Sequence, residues 1–496
     1  NAVIGNARFY IEGSTQSLAG IVETDSQRAG IVQNSEPGVA GPNDTRTGTL
    51  NLTGSGVYSF NGYLRDSTGV LSLTQNGSGS QWLVGDRITY TGRTTINTGG
   101  VVVYNATGFA SDVSIAGAGA LVMTNSTVNT WTYSRNISGT GAWVVSGTGA
   151  ASQGDLAFAG DNTGFTGTLI ITNGARFRAN TDSALPNTAI VITSGNQLAL
   201  PSAVTYSRHP VSLAGNGWNE GDYYGAMRFW GGGTWATNIT LIGDARISAW
   251  NSAGTVSGNI SGNYELATYN NNYLYLTGSN TFRNLRLYGN WNYLNNTYAS
   301  GGGTIIFNNG GLSAYGGPVT FTNPVLAAVT AVYIGYDNGY QPVTLSGTFG
   351  FNGVYHDMHI YNQATTISGN LLNAAGGFYK YQSGNLILMG TNSIGWVYNY
   401  SGGGTVTFAG NSVNTIAGNL TLINGGTIIV SNNASVTAWQ VFEGSNSDGH
   451  WGTINQYGGT LTLISDDVTR ILTIGEFPGA TSYYNLYGGT VAVLNG

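Results

Sequence analysis

The sequence lacks cysteine altogether, and Lys380 is the single lysine among its 496 residues. Without cysteine the chain cannot form disulfides, thiolate metal sites or a cysteine nucleophile. Charged residues make up only 8% of the chain and the formal net charge is −6, so we expect no basic surface that could neutralise nucleic-acid phosphates. The composition therefore excludes several classes of catalyst and predicts that nucleic acid is not a partner.

Long hydrophobic runs are also missing. The longest apolar segment, residues 324–333, is much shorter than the ~20 residues that a membrane-spanning helix needs, and no positively charged leader precedes Asn1. We therefore expect no membrane insertion and an already processed chain. The absence of cysteine is compatible with an extracellular bacterial surface protein and equally with a cytosolic one, and the scarcity of lysine favours the exterior.

Glycine is abundant, with 78 residues, yet hydrophobic residues still make up 41% and aromatic residues 11% of the chain. Such a chain is too apolar to be intrinsically disordered. Thr, Val, Ile and Tyr dominate, whereas few segments place helix-forming residues at helical spacing. The composition predicts an all-β protein with nearly no helix.

A Gly-x-Leu-x-Leu pattern recurs along the chain and predicts short strands with one buried face. Residues 154–174 show it twice, with an Asp-Asn-Thr-Gly turn between the two copies. The residues between the apolar positions are mostly small or polar, which indicates an exposed opposite face. We expect the alternating apolar side chains to point inward, as at Leu156, Phe158, Leu169, Ile171, Leu420 and Leu422.

The spacing of these copies favours a solenoid. Intervals such as Leu50 to Leu71 suit the roughly 20–25 residues of one β-helix coil, whereas a propeller needs blades of ~40–50 residues with a recurring signature. We predict a right-handed parallel β-helix that runs continuously through residues 46–496, with about 22 coils. Residues 1–45 have weaker alternation and clustered charges, and we predict that they form an N-terminal cap or arm.

Three segments carry a resemblance to a known repeat. Residues 136–141 read NISGTG, residues 146–149 read SGTG, and residues 158–167 read FAGDNTGFTG. Together, residues 136–174 resemble the autotransporter-associated β-strand repeat of large bacterial surface and secreted proteins, although Val145 stands where that family commonly has lysine. The resemblance implies a right-handed parallel β-helix exposed at the cell surface, and it carries no catalytic residues.

No constellation of catalytic or metal-binding residues stands out. Asp466 and Asp467 form the only adjacent pair of carboxylates, and neighbours on a strand point to opposite faces. His356 and His359 have a spacing that suits a metal on a helix, but in a strand their rings face opposite sides. We predict no catalytic, metal-binding or cofactor-binding residue, and no cofactor.

Two aromatic-rich segments, residues 218–230 and 288–293, interleave their rings with Asn, Asp and Glu. Aromatic faces stack on sugar rings while polar neighbours bond the hydroxyls. Stacking within the solenoid or between subunits accounts for the same residues, and we take this structural role as the first interpretation. The candidate interface or glycan-contact residues are Trp218, Tyr223, Tyr224, Trp230, Trp291 and Tyr293.

Both ends of the sequence read as strands, and open coil ends expose unpaired backbone groups that favour end-to-end association. We predict that copies of the chain form a filament, with Val3, Ile4 and Phe9 in a donor strand. The alternative is a fragment whose continuation covers the last coil. The expected function is that of an extracellular or cell-surface structural and adhesive β-solenoid that is not an enzyme, with surface glycans as a further partner. A β-helical protein that binds or degrades polysaccharide is the alternative.

Overall fold

A computed structural model describes residues 2–3, 7–23, 29–36, 46–150, 152–336, 341–400, 402, 404–443, 451–466, 470–475 and 481–494. It contains 53% strand and 2% helix, and parallel sheets form a β-solenoid. The predicted all-β parallel β-helix with nearly no helix is therefore confirmed. The described residues form about 19 turns, fewer than the sequence predicted because some turns are long, such as that from Tyr333 to His359.

The chain divides into two compact units, Asn1–Gly254 and Thr255–Gly496. In the first unit, Asp182–Ala184 forms a short 3₁₀ turn. The strands of this unit are β1 Ala2–Val3, β2 Arg8–Tyr10, β3 Thr15–Leu18, β4 Ile21–Val22, β5 Ile31–Gln33, β6 Gly48–Leu52, β7 Val57–Phe60, β8 Tyr63–Arg65, β9 Leu71–Gln75, β10 Ser80–Val84, β11 Thr94–Tyr104, β12 Val113–Thr124, β13 Trp131–Tyr133, β14 Ile137–Gly139, β15 Ala142–Ser146, β16 Leu156–Phe158, β17 Thr168–Thr172, β18 Arg176–Ala179, β19 Ile190–Ile192, β20 Gln197–Leu200, β21 Thr205–Tyr206, β22 Val211–Gly215, β23 Met227–Phe229, β24 Thr234–Trp235 and β25 Ile239–Ala249.

The second unit has the same construction, with a 3₁₀ turn at Thr297–Ser300. The strands from Gly254 onward are β26 Gly254–Val256, β27 Ile260–Ser261, β28 Glu265–Asn270, β29 Leu274–Leu276, β30 Asn284–Gly289, β31 Trp291–Leu294, β32 Ile305–Phe307, β33 Gly311–Ala314, β34 Val319–Phe321, β35 Val325–Ala327, β36 Ala331–Ile334, β37 Val343–Leu345, β38 Phe349–Phe351, β39 His356–Ile360, β40 Ala364–Ile367, β41 Leu371–Leu372, β42 Phe378–Tyr381, β43 Asn385–Leu388, β44 Thr391–Ile394, β45 Val397–Asn399, β46 Thr405–Phe408, β47 Val413–Leu422, β48 Gly426–Val430, β49 Ser435–Glu443, β50 Gly452–Gln456, β51 Thr460–Leu463, β52 Leu472–Ile474, β53 Ser482–Leu486 and β54 Thr490–Val493.

Each strand pairs in parallel with a strand of the next turn, so equivalent side chains stack along the solenoid. In the first unit, Trp143 of β15 lies opposite Leu169 of β17, which in turn lies opposite Ile190 of β19. In the second unit, Leu386 of β43 lies opposite Val406 of β46. Register is kept between these turns, and it shifts locally at residues 96–98, 213–215 and 416–419.

The inward positions form the core. The six side chains predicted to point inward are all buried, with exposed fractions of 0–3%. Period-two alternation places every second side chain in the interior. Removal of these apolar side chains from water is the main contribution to the stability of the fold. The face assignment made from the sequence is therefore confirmed for Leu156, Phe158, Leu169, Ile171, Leu420 and Leu422.

Asparagine ladders link successive turns. Asn270 donates from Nδ2 to Oδ1 of Asn292 in the next turn, at 2.9 Å, inside the solenoid wall. On the outside of the first unit, Asn97 donates to Asn76 at 2.7 Å and Asn76 donates to Asn51 at 2.6 Å. Each amide both donates and accepts, so a stacked row of asparagines satisfies its own polar groups.

The N-terminal segment contributes parallel strands of its own. In β1, Val3 pairs with Val22, and in β2, Phe9 pairs with Val32. Ile4 lies outside the described residues. Strand β3 pairs with β6, which lies beyond residue 45. The boundary between a cap and a solenoid at residue 45, and the donor-strand role, stay predictions.

Candidate functional site

The outer side of the second unit carries aromatic side chains on consecutive turns. In β39, His356, Met358 and Ile360 are buried, whereas Asp357 and His359 are half-buried on the opposite side. Strands β36 and β42 alternate in the same way. Strand geometry therefore places one or two rings per turn on the outside.

Parallel register aligns these rings in one row. Tyr333 pairs with His359, and His359 pairs with Tyr381. The ring centroids are 4.7 Å and 5.0 Å apart, with interplanar angles of 15° and 16°. Tyr400 continues the row at 5.3 Å from Tyr381. We call Tyr333, His359, Tyr381 and Tyr400 the aromatic ladder; its spacing follows the ~4.8 Å between adjacent strands.

A second group of rings lies beside the ladder. Tyr379 and Tyr398 are in register with centroids 5.3 Å apart, and Trp396 meets Tyr398 edge to face at 4.9 Å and 89°. Tyr355 is 48% exposed and meets Tyr379 at 6.0 Å and 85°. Tyr355 and Trp396 are near-parallel at 6.4 Å and 30°, whereas the other pairs cross, so the ring faces turn in several directions. We call Tyr355, Tyr379, Trp396 and Tyr398 the aromatic cluster.

A cleft of about 520 Å³ adjoins the ladder near Tyr333. Trp291 stacks on Tyr336 at 5.1 Å and 16°, and Tyr361 stands perpendicular to both rings at 5.6 Å and 5.2 Å. Gly311 lies beneath the indole, since a Cβ there would come within 2.2 Å of the Trp291 ring. The absence of a side chain at this position therefore lets Trp291 lie against the strand. We call the ladder, the cluster and the cleft together the aromatic face.

The aromatic face carries little charge. None of the described residues that line the cleft is charged. Burial lowers the pKa of His359, which favours the neutral imidazole at neutral pH. Burial also raises the pKa of Tyr361 and Tyr381, so their hydroxyls stay protonated and remain able to donate. In the described parts of β31, β33, β36, β39, β42 and β45, Asp357 is the one carboxylate.

The candidates predicted in the first unit surround two arginines. The ring of Trp218 lies 4.3 Å from the Arg176 guanidinium carbon, and Trp230 lies 4.6 Å from that of Arg228. Tyr224 also packs on Arg228, at 4.8 Å. Trp218 is only 2% exposed, whereas Tyr223 is 41% exposed. The predicted roles of these rings in glycan contact or at an interface stay predictions.

The structure separates the two candidates predicted in the second unit. Trp291 lines the cleft and is 9% exposed. Tyr293 is fully covered, because it stacks on Tyr275 at 4.9 Å and its hydroxyl donates to the carbonyl of Tyr336 at 3.0 Å. Of these two, only Trp291 therefore borders open space in the described structure.

The two histidines point to opposite faces, as the strand pattern predicted. His356 is buried with Nε2 3.0 Å from Oδ1 of Asn352, whereas His359 belongs to the ladder. Within the described residues, no group of three or more His, Asp or Glu side chains could hold a metal ion. Asp466 accepts a hydrogen bond from the Trp439 indole at 3.2 Å, and Asp467 lies outside the described residues.

Reasoning from the sequence missed most of the aromatic face, which contains Tyr333, Tyr336, Tyr355, His359, Tyr361, Tyr379, Tyr381, Trp396, Tyr398 and Tyr400. One available signal is the Tyr-x-Tyr pattern at residues 379–381 and again at residues 398–400, which places two rings on the outer side of neighbouring turns. The aromatic residues at 218–230 are closer together in the sequence, and the prediction from the sequence therefore named that segment instead.

Comparison with known proteins returned no match: no protein-family model, no curated protein and no solved structure is similar to the chain. Among the residues that the structure describes, no helix has the length and apolar character needed to cross a bilayer.

Proposed function

We propose that the protein is a structural and adhesive β-solenoid of the cell exterior whose second unit binds neutral polysaccharide along the aromatic face. The observation that carries this proposal is the row of outward rings on successive turns, from Tyr333 to Tyr400. A solenoid spaces these rings evenly, which suits a ligand that is itself a repeating chain. The likeness of residues 136–174 to a bacterial surface repeat supports the exterior location.

The parts of the face differ in what they offer to a sugar. Ladder rings cover one another's faces, so they present mainly edges and hydroxyl groups. The cluster and the cleft present more open ring surface: Tyr336, which also stacks on Trp291, is 37% exposed, and Tyr355 is 48% exposed. Sugar C–H groups pack on such faces, and the removal of apolar ring surface from water favours binding.

We propose binding without turnover. Glycoside hydrolysis by the usual route needs two carboxyl groups on either side of the scissile bond. Among the described strands of the aromatic face, Asp357 supplies a single carboxylate, and it lies beside Tyr379 in the next turn. An adhesive that holds polymer without cleaving it needs no such pair.

The test compares two rings of the aromatic face with a more exposed ring elsewhere. We expect Tyr336→Ala and Tyr361→Ala each to weaken binding of a neutral polysaccharide about tenfold in affinity electrophoresis, because each removes one stacking face. Tyr298→Ala is the control, since Tyr298 is 67% exposed but lies outside the face. No release of reducing ends should accompany binding. Equal losses in all three variants, or no binding across a panel of neutral polymers, would contradict the proposal.

A second candidate function is end-to-end self-association. The turn formed by β52, β53 and β54 exposes Leu472, Ile474, Leu486 and Val493, which are 37–54% exposed. Val441 and Leu463, the register partners of Leu472 and Val493 in the preceding turn, are fully buried. We propose that a second copy covers these apolar positions and extends the parallel ladder.

Sedimentation velocity tests this assembly. Leu486→Lys and Val493→Lys place a charge in the apolar surface, and we expect them to shift the protein from large assemblies to monomer. Val57→Lys is the matched control, because Val57 is 75% exposed in the first unit. A monomeric parent protein, or assemblies that persist in both variants, would refute the contact.

A further inference from the structure

A short hairpin projects from the first unit between β22 and β23. Asn219 and Tyr223 form an antiparallel bridge across it, and Gly225 N donates to Asn216 O at 2.9 Å. The hairpin is an insertion, because the neighbouring turns pass from strand to strand without it. Its Trp218 and Glu220 side chains reach back to the solenoid wall.

The hairpin covers a cluster of arginines. Arg228 Nη1 lies 2.7 Å from Oε1 of Glu220, and Arg176 Nη1 lies 4.0 Å from Oε2 of the same carboxylate. Asp155 joins Arg176 and Arg178 at 2.8 Å and 3.1 Å. We call Arg176, Arg178 and Arg228 the arginine cluster. Three guanidinium groups therefore share two carboxylates.

The wall beneath the hairpin brings these side chains together. Arg178 of β18 lies opposite Ala199 of β20, which lies opposite Arg228 of β23. The small side chain of Ala199 leaves room between the two arginines. This spacing is set by the parallel ladder and not by the hairpin.

Aromatic rings flank the same guanidinium groups. Trp218 lies 4.3 Å from the guanidinium carbon of Arg176, and Trp230 lies 5.5 Å from it. Trp230 and Trp250 lie 4.6 Å and 4.9 Å from that of Arg228. Trp218 is buried, whereas Trp230 and Trp250 are half-buried, and these two indoles beside fixed guanidinium forks offer both a stacking surface and a bidentate anion site.

The arginine cluster and the Trp218 indole beside it retain unused hydrogen-bond donors. Nε of Arg178, Nε of Arg228 and Nε1 of Trp218 are buried without a hydrogen-bond partner. Leaving such donors unpaired away from water is unfavourable. Burial also lowers the pKa of Arg228, although Glu220 opposes this effect. The site therefore has capacity for a further acceptor group that carries negative charge.

We propose that the arginine cluster binds the carboxylate of a hexuronate sugar, and that Glu220 on the hairpin occupies this site in its absence. A uronate carries both groups that the site accommodates: a planar carboxylate for the guanidinium fork, and a sugar ring for the indole faces. Glu220 belongs to the inserted hairpin, so its carboxylate can leave without disturbing the wall. This site is separate from the aromatic face, in residues and in ligand charge.

Calorimetric titration of the full chain tests the site with two matched probes. The β-1,4-linked tetrasaccharide of mannuronate carries a carboxylate where that of mannose carries a hydroxymethyl group. We expect Glu220→Gln to bind the mannuronate probe at least about tenfold more tightly than the parent protein, because the competing charge is gone. Asp161→Asn is the control, since it removes one negative charge from a turn whose carboxylate accepts from Thr163.

Loss of an arginine should have the opposite effect. We expect Arg178→Met in the Glu220→Gln background to lower affinity for the mannuronate probe at least about tenfold. Arg178 is suited to this test because its side chain is 26% exposed, and an unchanged melting temperature shows that the fold is retained. Arg228→Met should abolish binding, with the same check on folding.

Four results would overturn the inference. The first is that neither the parent protein nor Glu220→Gln binds the mannuronate probe. The second is that Asp161→Asn tightens binding as much as Glu220→Gln does. The third is that Glu220→Gln raises the affinity for the mannose probe equally, which would mean that ring stacking and not the carboxylate carries the binding. The fourth is that an oligoglutamate peptide binds as tightly as the mannuronate probe. None of these results bears on neutral polysaccharide binding by the aromatic face, so the two proposals fail separately.

Discussion

Replacing Lys380 by methionine should stabilise the second unit and remove a pH dependence. Lys380 belongs to β42, points inward and is fully buried between Met358 and Asn399 of the neighbouring turns. Its ammonium group donates to the carbonyl of Gln382. A Cβ at Gly404 would come within 1.9 Å of Nζ, so this glycine makes room for the amine.

The magnitude follows from the pKa of the amine. Burial lowers the pKa of Lys380 from 10.5 to about 7, and within the described residues no carboxylate pairs with it. At about 1.4 kcal/mol per pKa unit, this difference corresponds to about 5 kcal/mol of lost stability at neutral pH. Methionine avoids this cost but leaves the Gln382 carbonyl without its donor, which costs about 1–3 kcal/mol. We expect a net gain of about 2–4 kcal/mol.

Proton binding at Lys380 makes the stability of the second unit depend on pH. Between the folded pKa of about 7 and the unfolded pKa of 10.5, the unfolded chain binds a proton at Lys380 and the folded chain does not. The free energy of unfolding therefore rises with pH in this window, by about 2 kcal/mol from pH 7 to pH 9. Lys380→Met should remove this rise.

Hydrogen exchange of the β42 and β45 amides is the suitable assay, because solenoids open locally and lose two-state behaviour. Denaturant titration of the parent protein and of Lys380→Met at pH 7 and pH 9 provides the second measurement. Met358→Leu is the control, since it alters the neighbouring core position without a titratable group. A parent protein with the same pH slope as Lys380→Met, or a variant that exchanges faster at pH 7, would refute the reasoning.

Three further changes test other parts of the structure. Leu420→Asp should cost several kcal/mol, because it buries an unpaired carboxylate at a fully buried site, and an unchanged melting temperature would contradict the core assignment. Gly311→Ala should displace the Trp291 ring, lower the free energy of unfolding by about 1–3 kcal/mol and weaken polysaccharide binding. A Cβ at Gly317 meets nothing within 4 Å, so Gly317→Ala should leave both stability and binding unchanged. Because burial lowers the pKa of His359, the unfolded chain binds the proton first as pH falls below 6.5, so acid should destabilise the second unit. His359→Tyr should reduce this acid effect in a urea titration while keeping the ladder.

The fold was predictable because its signal is local. Alternation at Leu156, Phe158 and similar positions needs only neighbouring residues, and the burial of those side chains in the structure agrees with it. Paired strands about twenty residues apart then lead to a solenoid without further information. The number of turns was less predictable, since insertions such as the hairpin at residues 217–225 lengthen single turns without altering the pattern around them.

The aromatic ladder was not predictable in the same way, because its members are 26, 22 and 19 residues apart. The length of the corners between two turns decides which of their residues lie opposite each other. Tyr333, His359 and Tyr381 become neighbours only once that register is known. Proximity in the sequence instead suggested Trp291 and Tyr293, and rings from other turns cover Tyr293 completely.

The two proposed sites use the solenoid wall in different ways, and this difference explains their ligand preferences. In the second unit, one uncharged ring per turn produces a long row whose contacts repeat, which suits a neutral polymer. In the first unit, Ala199 separates Arg178 and Arg228 on a single column. Asp155 pairs with Arg178, and Glu220 of the inserted hairpin pairs with Arg228. Repetition of the same charge on every turn would be costly, because like charges ~4.8 Å apart repel. A charged site in a solenoid therefore has to be local and needs counterions beside it, which are the roles that Asp155 and Glu220 fill.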